Sequence, residues 1–396
     1  PMNSPLISRL VKFKQKVMRV LLGANRDESL SLSEQIQVIE ALPEPPDLIE
    51  RSYYQYLCQK KRHSALAYRI FVTGANIIAI IPLLYYSFLK RSTNEPANQS
   101  ESSTAVFLGV PAVKDRIPES LIKEYGKLII EGEFGLSVTR FEKNFIRRIW
   151  ARHPLNVLFV LKCAMKIAAY RDVIDSVGAN AIIATSEDSY TSSVLTEYCR
   201  RRHVKHINMM HGEVVYNLSR TFFAFDACYV WDQHYSNLMT RLRAEPTQFI
   251  IELPKGLIYQ EASSVRANGA TYYLQNQDIR QMLQIKELLE SLQIDYRVRP
   301  HHIWTEMDEL RRVFEASHIE DAHDVPIEES ILKSEVLISW CSTVLFQGYV
   351  NEKRTVVDNV SNPVLIERMK DSDYIMLAEG RSELLSNVLH ELGTIV

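Results

Sequence analysis

Residues 294–305 read IDYRVRPHHIWT and residues 334–350 read SEVLISWCSTVLFQGYV. Tyr296-Arg297-Val298-Arg299 predicts a short strand that runs straight into Pro300-His301-His302. Val336-Leu337-Ile338 predicts a second strand, which empties into Ser339-Trp340-Cys341-Ser342-Thr343. Helical spacing resumes at Val344, Leu345 and Tyr349. Two strand ends therefore deliver Arg299, His301, His302, Ser339, Ser342 and Thr343 to the carboxyl edge of a parallel sheet. Open α/β sheets bind ligands at that edge. Imidazole, hydroxyls and the unpaired N–H groups of a helix start suit a phosphorylated ligand, because the helix dipole favours an anion there. Taken singly, tandem histidines are also ordinary loop residues, and S-x-x-S-T is an ordinary helix cap. The two together in one βα-repeating half favour the functional reading.

Working outward, the same alternation fills the chain from residue 104. TAVFLGV (104–110) is a buried strand, and helical periodicity covers 117–133 and 155–178. Ala181–Ala184 is a strand leading to Glu187-Asp188, and residues 190–202 form a helix. Val204–Met210 leads to His211-Gly212-Glu213, and Ala227–Trp231 leads to Asp232-Gln233-His234. FIIEL (249–253) precedes Pro254-Lys255-Gly256. After a small, polar joint at Glu261–Gly269 a second series begins. It comprises Thr271–Leu274, a helix over 279–293, Tyr296–Val298, a helix near 305–316, Val336–Ile338, a helix from 343, Thr355–Asp358 and a last helix over 381–392. Strands alternating with helices imply parallel sheets with right-handed crossovers. The expected fold is α/β: two Rossmann-like domains facing a cleft, an acceptor domain at 104–260 and a donor domain at 261–396, with a helical extension at 1–103.

The extension has its own chemistry. Leu6, Leu10, Phe13, Val17 and Leu21 share one helical face. Arg9, Lys12, Lys14, Lys16, Arg19 and Arg26 precede the first acid, Asp27. That pattern suits an anionic membrane surface or a helix docked on the body with a solvated basic face. Residues 28–65 read as helical, with a break at Pro43-Glu44-Pro45-Pro46. Ile70–Leu89 carries no charge and has the length of a membrane span, but Gly74, Asn76 and Pro82 interrupt it. Cations flank it on both sides, more of them before it than after, so a span would place the catalytic body outside the cell. A membrane-dipping or protein-buried helix pair is expected, followed by a polar linker at 92–103.

Composition sets further limits. A net charge of −2 over 396 residues argues against a general nucleic-acid binder. Five scattered cysteines without C-x-x-C indicate neither a disulfide framework nor a zinc site, and suit a reducing cytoplasm. There is no G-x-G-x-x-G, no G-x-x-x-x-G-K-[ST], no G-x-S-x-G and no H-E-x-x-H. Dinucleotide oxidoreductases, P-loop ATPases, α/β-hydrolases and zinc proteases of those types drop out. The D-x-D at Asp371–Asp373 lies in a late polar loop with no strand delivering it. No metal or other cofactor is expected.

What remains is a set of polar clusters at strand ends. Carboxylate and imidazole on one wall and phosphate-binding groups on the other suit glycosyl transfer, with a general base for an acceptor hydroxyl and hydrogen bonds for the leaving phosphate. His211 is the first candidate for the base, since its ordinary pKa lies near working pH and Gly212 allows close approach. Glu213, Glu187 and Asp188 compete with it, the latter pair also being candidates for helix capping. Lys255 and Gln275, near the joint, complete the donor candidates.

These residues resemble a known group. RPHH followed by LISWCSTVLFQGYVNEKRTVVDN is similar to the carboxyl-terminal half of bacterial surface-polysaccharide transferases of the GT-B fold. The group includes sialyltransferases and polysialyltransferases, capsule Kdo transferases and CDP-glycerol glycerophosphotransferases. In these an H-P motif after a strand contacts the cytidine nucleotide and a later Ser/Thr pair binds its phosphate. Here His301 takes the histidine position, His302 stands where the proline would be, and Ser342-Thr343 matches the pair. MMHGE resembles the H-G motif of the glycerophosphotransferases, and Glu187-Asp188 resembles in part the acidic motif of the sialyltransferases, with Ser189 replacing glycine. The likeness spans residues 180–360. It implies an inverting, metal-independent transferase of bacterial capsule or lipopolysaccharide assembly, working peripherally on the cytoplasmic face of the cell membrane. Its donor would be a CMP-activated keto-sugar, a nonulosonate or Kdo, and its acceptor a glycan or lipid-linked glycan. A CDP-polyol donor, a UDP- or GDP-sugar donor, and a non-catalytic scaffold at the membrane are the alternatives.

Overall fold

Apolar runs of four or five residues, closed by turn residues and separated by amphipathic helices, can bury both faces only as strands of a parallel sheet. The computed structural model describes residues 30–61, 73–89, 103–109, 111–130, 138–259, 267–301 and 304–393. It divides into two units. One holds the described residues up to Met210 together with Asn217–Glu252, the other His211–Tyr216 together with the described residues from Leu253 onward.

The first unit is built on a six-stranded sheet. Its strands are β1 (Thr104–Phe107), β2 (Lys127–Ile130), β3 (Ala181–Ala184), β4 (Lys205–Met209), β5 (Ala227–Val230) and β6 (Phe249–Ile251). The order is β2-β1-β3-β4-β5-β6, and every pairing is parallel. β1 and β3 are buried along their whole length. The helix Val157–Val177 packs on this sheet and ends at Gly178, whose φ of 62° is the left-handed stop that glycine adopts without strain. The helices Leu32–Glu40 and Leu48–Lys61 belong to this unit. Ile49, Tyr56 and Cys58 are buried, and the Ser52 hydroxyl accepts from the Val194 amide at 2.8 Å.

The second unit holds β7 (Ala270–Tyr273), β8 (Tyr296–Arg299), β9 (Val336–Ser339), β10 (Arg354–Val357) and β11 (Glu383–Leu384). The order is β11-β10-β9-β7-β8, again all parallel. Met282, Ile285, Leu289, Val298, Leu310 and Ile338 form its core. Both sheets thus follow one doubly wound order, 2-1-3-4-5 in each unit's own chain sequence, with a sixth strand added at the far edge of the first. That order reverses direction between the first and third strands, where such folds open a ligand crevice. In the second unit the crevice lies between β7 and β9.

One expectation needs correction. Residues 117–133 were expected to be helical throughout, yet the helix Glu119–Glu124 ends before Gly126 and Lys127–Ile130 forms the edge strand β2, with Thr104 opposite Lys127. Leu121, Tyr125 and Leu128 happen to keep helical spacing across the break. The expected helix pair at Ile70–Leu89, described from residue 73, is a helical stretch and then the short helix Ile80–Leu84. Among the described residues no helix is long and apolar enough to cross a membrane. The basic amphipathic stretch 4–24, most of the linker 92–103 and His302 lie outside the described residues.

Candidate functional site

The carboxyl ends of β7, β8 and β9 are tied into one network. Beyond β7, the Gln275 side-chain amide donates to the Cys341 carbonyl, joining the two strand ends that flank the crevice. The Gln275 carbonyl accepts from the Thr305 hydroxyl at 2.8 Å. The same hydroxyl accepts from the His301 amide at 2.9 Å. His301 is thereby fixed beside Gln275, with its ring centroid 6.2 Å from that of the half-exposed Trp304.

Beyond β9 the helix Thr343–Val350 begins with Ser342 as its cap, the Ser342 hydroxyl accepting from the Val344 amide at 3.2 Å. The loop His211–Tyr216 packs on this helix start. The Thr343 hydroxyl accepts from the Glu213 amide at 3.0 Å, and the Tyr216 amide donates to the Ser372 carbonyl at 2.8 Å. A Cβ added to Gly212 would lie 3.4 Å from Thr343 Oγ1, so the loop approaches the helix start closely here. Tyr374 supports the same turn: its hydroxyl accepts from the Ser342 amide at 3.2 Å and donates to the Ser342 carbonyl at 3.3 Å. Burial, together with the Glu213 charge, pushes the Cys341 thiol up to about 12, so it stays protonated at neutral pH.

The chemistry follows from donor and acceptor counting. A serine or threonine hydroxyl has one hydrogen and two lone pairs. At Ser342 and Thr343 a backbone N–H takes a lone pair, which leaves each O–H able to donate to an oxyanion. His211, Gly212 and Glu213 stand in the same unit within two residues of that bond.

Several candidates are placed otherwise. Arg299 is 7% exposed; it pairs with Glu320 at 2.7 Å and donates to the Val325 carbonyl at 2.8 Å. Its guanidinium holds the 315–325 excursion onto β8. Ser339 is fully buried, and its hydroxyl donates to the Tyr273 carbonyl at 2.8 Å, so it laces β9 to β7. Lys255 is exposed on a short 3-10 turn, Lys255–Leu257, whose Leu257 carbonyl accepts from Asn351 at 2.7 Å.

In the first unit Glu187 is 1% exposed, within 3.9 Å of Arg220 and 3.3 Å of the Asn208 side-chain amide. Its carboxylate is engaged with side chains of its own unit. Asp188 is exposed, and its carbonyl accepts from Gln59 at 2.7 Å. Neither caps the helix Ser192–Arg201, whose cap residue is Thr191. Asp232 caps the helix Gln233–Arg241, accepting from the His234 amide at 2.8 Å. The aromatic run Phe222, Phe223 and Phe225 is core.

Sequence reasoning passed over Thr305 and Tyr374. Thr305 closes the quoted stretch IDYRVRPHHIWT, but its bond partner is thirty residues away in the chain. No local pattern marks Tyr374. Among the described residues no group of three His, Cys, Asp or Glu side chains is placed to hold a metal ion.

No family profile and no curated protein sequence matches this chain. Among solved structures it is similar to the wall teichoic acid polymerase TagF, at 11% identity and a TM-score of 0.40, covering 83% of this chain and 91% of that one. It is similar to the calicheamicin glycosyltransferase CalG4, at 10% identity and a TM-score of 0.40, covering 72% and 86%. A glycosyltransferase from Rickettsia africae matches at 10% identity and a TM-score of 0.38, covering 74% and 94%. Likenesses of this size carry nothing about donor, acceptor or the role of any residue.

Proposed function

We propose that the protein is a metal-independent, inverting glycosyltransferase that takes a keto-sugar, a nonulosonate or Kdo, from a CMP-activated donor to a hydroxyl of a glycan or lipid-linked glycan. It would serve bacterial surface-polysaccharide assembly at the cytoplasmic face of the membrane. The observation that carries the reading is the bond from the Glu213 amide to the Thr343 hydroxyl. It brings a His-Gly-Glu loop onto the helix start that the crevice of the second sheet presents. In the reaction His211 accepts the proton of the acceptor hydroxyl, whose oxygen attacks the anomeric carbon. The bond from that carbon to the phosphate oxygen breaks, and CMP leaves as the Ser342 and Thr343 hydroxyls donate to its phosphate. His301, Gln275 and Trp304 would hold the nucleotide.

The same bond favours a second reading, transfer of a polyol phosphate from a CDP-activated donor, because it seats the proposed base beside the phosphate-binding hydroxyls. The test is a melting panel of CMP, CDP, UDP, GDP and ADP, with and without EDTA. A ligand that binds only the folded state raises the melting temperature by an increment set by its concentration over Kd. The reading expects stabilisation by cytidine nucleotides that EDTA leaves unchanged and His301→Ala abolishes. Stabilisation by UDP or GDP alone would overturn the donor assignment, and turnover of CDP-glycerol but not CMP-sugars would select the second reading.

A further inference from the structure

The segment from Thr73 to Tyr86 is apolar on both faces, yet only one face is covered. Ala79, Leu83 and Tyr86 are buried in the core of the first unit. Asn76 fixes the segment in place, its side-chain oxygen accepting from the Leu158 amide at 2.9 Å and so serving the start of the helix Val157–Val177. The opposite face is open: Ile78 is 74% exposed and Ile81 77%, with Ile77 and Tyr85 also exposed. Leu155, just before the helix Val157–Val177, and Met165, on it, are exposed as well. Between the two elements runs an open groove of about 480 Å³ lined by Gly74, Ala75, Ile78, Pro82, Leu158 and Leu161, without one charged side chain. A helix apolar all round needs apolar surroundings all round, and a soluble protein rarely leaves such a patch uncovered.

Charge identifies what covers it. No Asp or Glu occurs between Glu50 and Glu95, whereas Lys60, Lys61, Arg62, Arg69, Lys90 and Arg91 do. On the helix Val157–Val177 the charged residues up to Tyr170 are Lys162 and Lys166, and the next, Arg171, is paired with Asp172 at 2.8 Å and Asp175 at 2.7 Å. The two elements that wall the groove thus carry apolar residues and these two cations, which is complementary to a surface that is apolar in depth and anionic at its rim. The basic stretch at 4–24 has the wrong sign to seat here, and so does a second copy of the same face.

We propose that this face is the site at which the protein docks on an anionic bilayer. Ile77, Ile78 and Ile81 enter the acyl-chain region, the groove takes one acyl chain, and the exposed Lys166 meets lipid phosphate, Lys162 lying over the Tyr190 ring at 4.0 Å. This takes up the membrane part of the reading above and is independent of the donor. Nucleotide melting tests one and vesicle binding the other, so either can fail alone.

The experiment is flotation of the full chain with phosphatidylcholine vesicles, with and without phosphatidylglycerol. The paired variant Ile78→Asn/Ile81→Asn is run beside it. Both positions are solvent-facing, so the variant should keep the parent's melting temperature and nucleotide response. The parent should float with the anionic vesicles only, and the variant should partition about tenfold more weakly or less, since each buried apolar side chain adds to partition. Lys166→Gln should reduce the dependence on phosphatidylglycerol. A bimane at Ile81→Cys should shift to the blue on vesicle addition. Flotation that the isoleucine variant leaves unchanged overturns the proposal and places lipid binding elsewhere. Absence of flotation overturns it too, as does self-association that the isoleucine variant abolishes, which would make the occupant a second copy.

Discussion

Thr343 has two tasks, and a single substitution separates them. Its hydroxyl holds the Glu213 amide and offers a proton toward the crevice. Thr343→Val keeps the shape and removes both. We expect a stability loss of about 1 kcal/mol, the ordinary worth of one hydrogen bond. We also expect CMP to bind about tenfold more weakly, as a lost charge-assisted bond would give; calorimetric titration reads this directly. Arg299 should behave in the opposite way. Removing it leaves Glu320 buried without its ion-pair partner at 2.7 Å. Arg299→Met should therefore cost about 3–5 kcal/mol in urea unfolding, with the folded fraction binding nucleotide normally. Normal stability with lost nucleotide binding would restore Arg299 to the donor site. His206 offers a pH test. It is fully buried between Tyr170 and Thr196, and burial lowers its pKa to about 3. The Thr196 hydroxyl donates to the Ala224 carbonyl at 2.7 Å, so it accepts from His206 Nδ1 and the ring is neutral. The unfolded chain binds this proton near pH 6.5 and the folded chain only near 3. Stability is thus fully present above about pH 6.5 and falls on acidification by about 1.4 kcal/mol per pH unit. His153, lowered by burial against the pull of Glu50, acts in the same direction. His206→Gln should remove one proton's worth of slope between pH 6.5 and 4.5, measured as the urea midpoint against pH. An unchanged slope would mean that His206 is already charged in the folded state.

At the scale of elements, strands were legible wherever they are buried on both faces. AIIA at 181–184 and VLIS at 336–339 admit no amphipathic helix, and they fold as β3 and β9. β2 was not legible, because an edge strand carries a mixed pattern, and KLII is exposed at both ends. Nor was the inward turn of Arg299 and Ser339. Sequence shows which residues end a strand, but one residue of pleat decides whether a side chain meets solvent or a neighbouring strand. The grouping of Gln275, His301, Ser342 and Thr343 was legible, since strand order alone carries them to one edge. The partners that fix them, Thr305 and Tyr374, depend on loops whose course no periodicity encodes. Gly348 tests how firmly the site's helix is seated. A Cβ there would lie 2.8 Å from Leu337 Cδ2 and 3.0 Å from Thr355 Cγ2, on β9 and β10. Alanine's better helix propensity offers up to about 1 kcal/mol, but overpacking costs about 1–3 kcal/mol. Gly348→Ala should therefore destabilise by about 1 kcal/mol net and weaken CMP binding by tilting the helix that begins at Thr343. A stabilised variant would show slack between helix and sheet.

At the scale of the molecule, the described residues contain two sheets with separate cores. Ile182 sits in one, beside Ile167 and Val194, and Met282 in the other, beside Ile285 and Leu310. Units with their own cores unfold as their own cooperative systems unless something couples them. The donor-site residues all belong to the second unit, including the His211–Tyr216 loop, which reaches it from the end of β4. Scanning calorimetry should then show two transitions, and CMP should raise only one of them, by about 2.7 kcal/mol at a hundredfold excess over Kd. Core truncation assigns them. Met282→Ala should lower the transition that nucleotide raises, and Ile182→Ala the other, each by about 2–5 kcal/mol. If CMP instead lifts the transition that Ile182→Ala lowers, the nucleotide is held by the first unit. The Thr343 bond would then be structural, and the base would have to be sought among Asp188 and its neighbours.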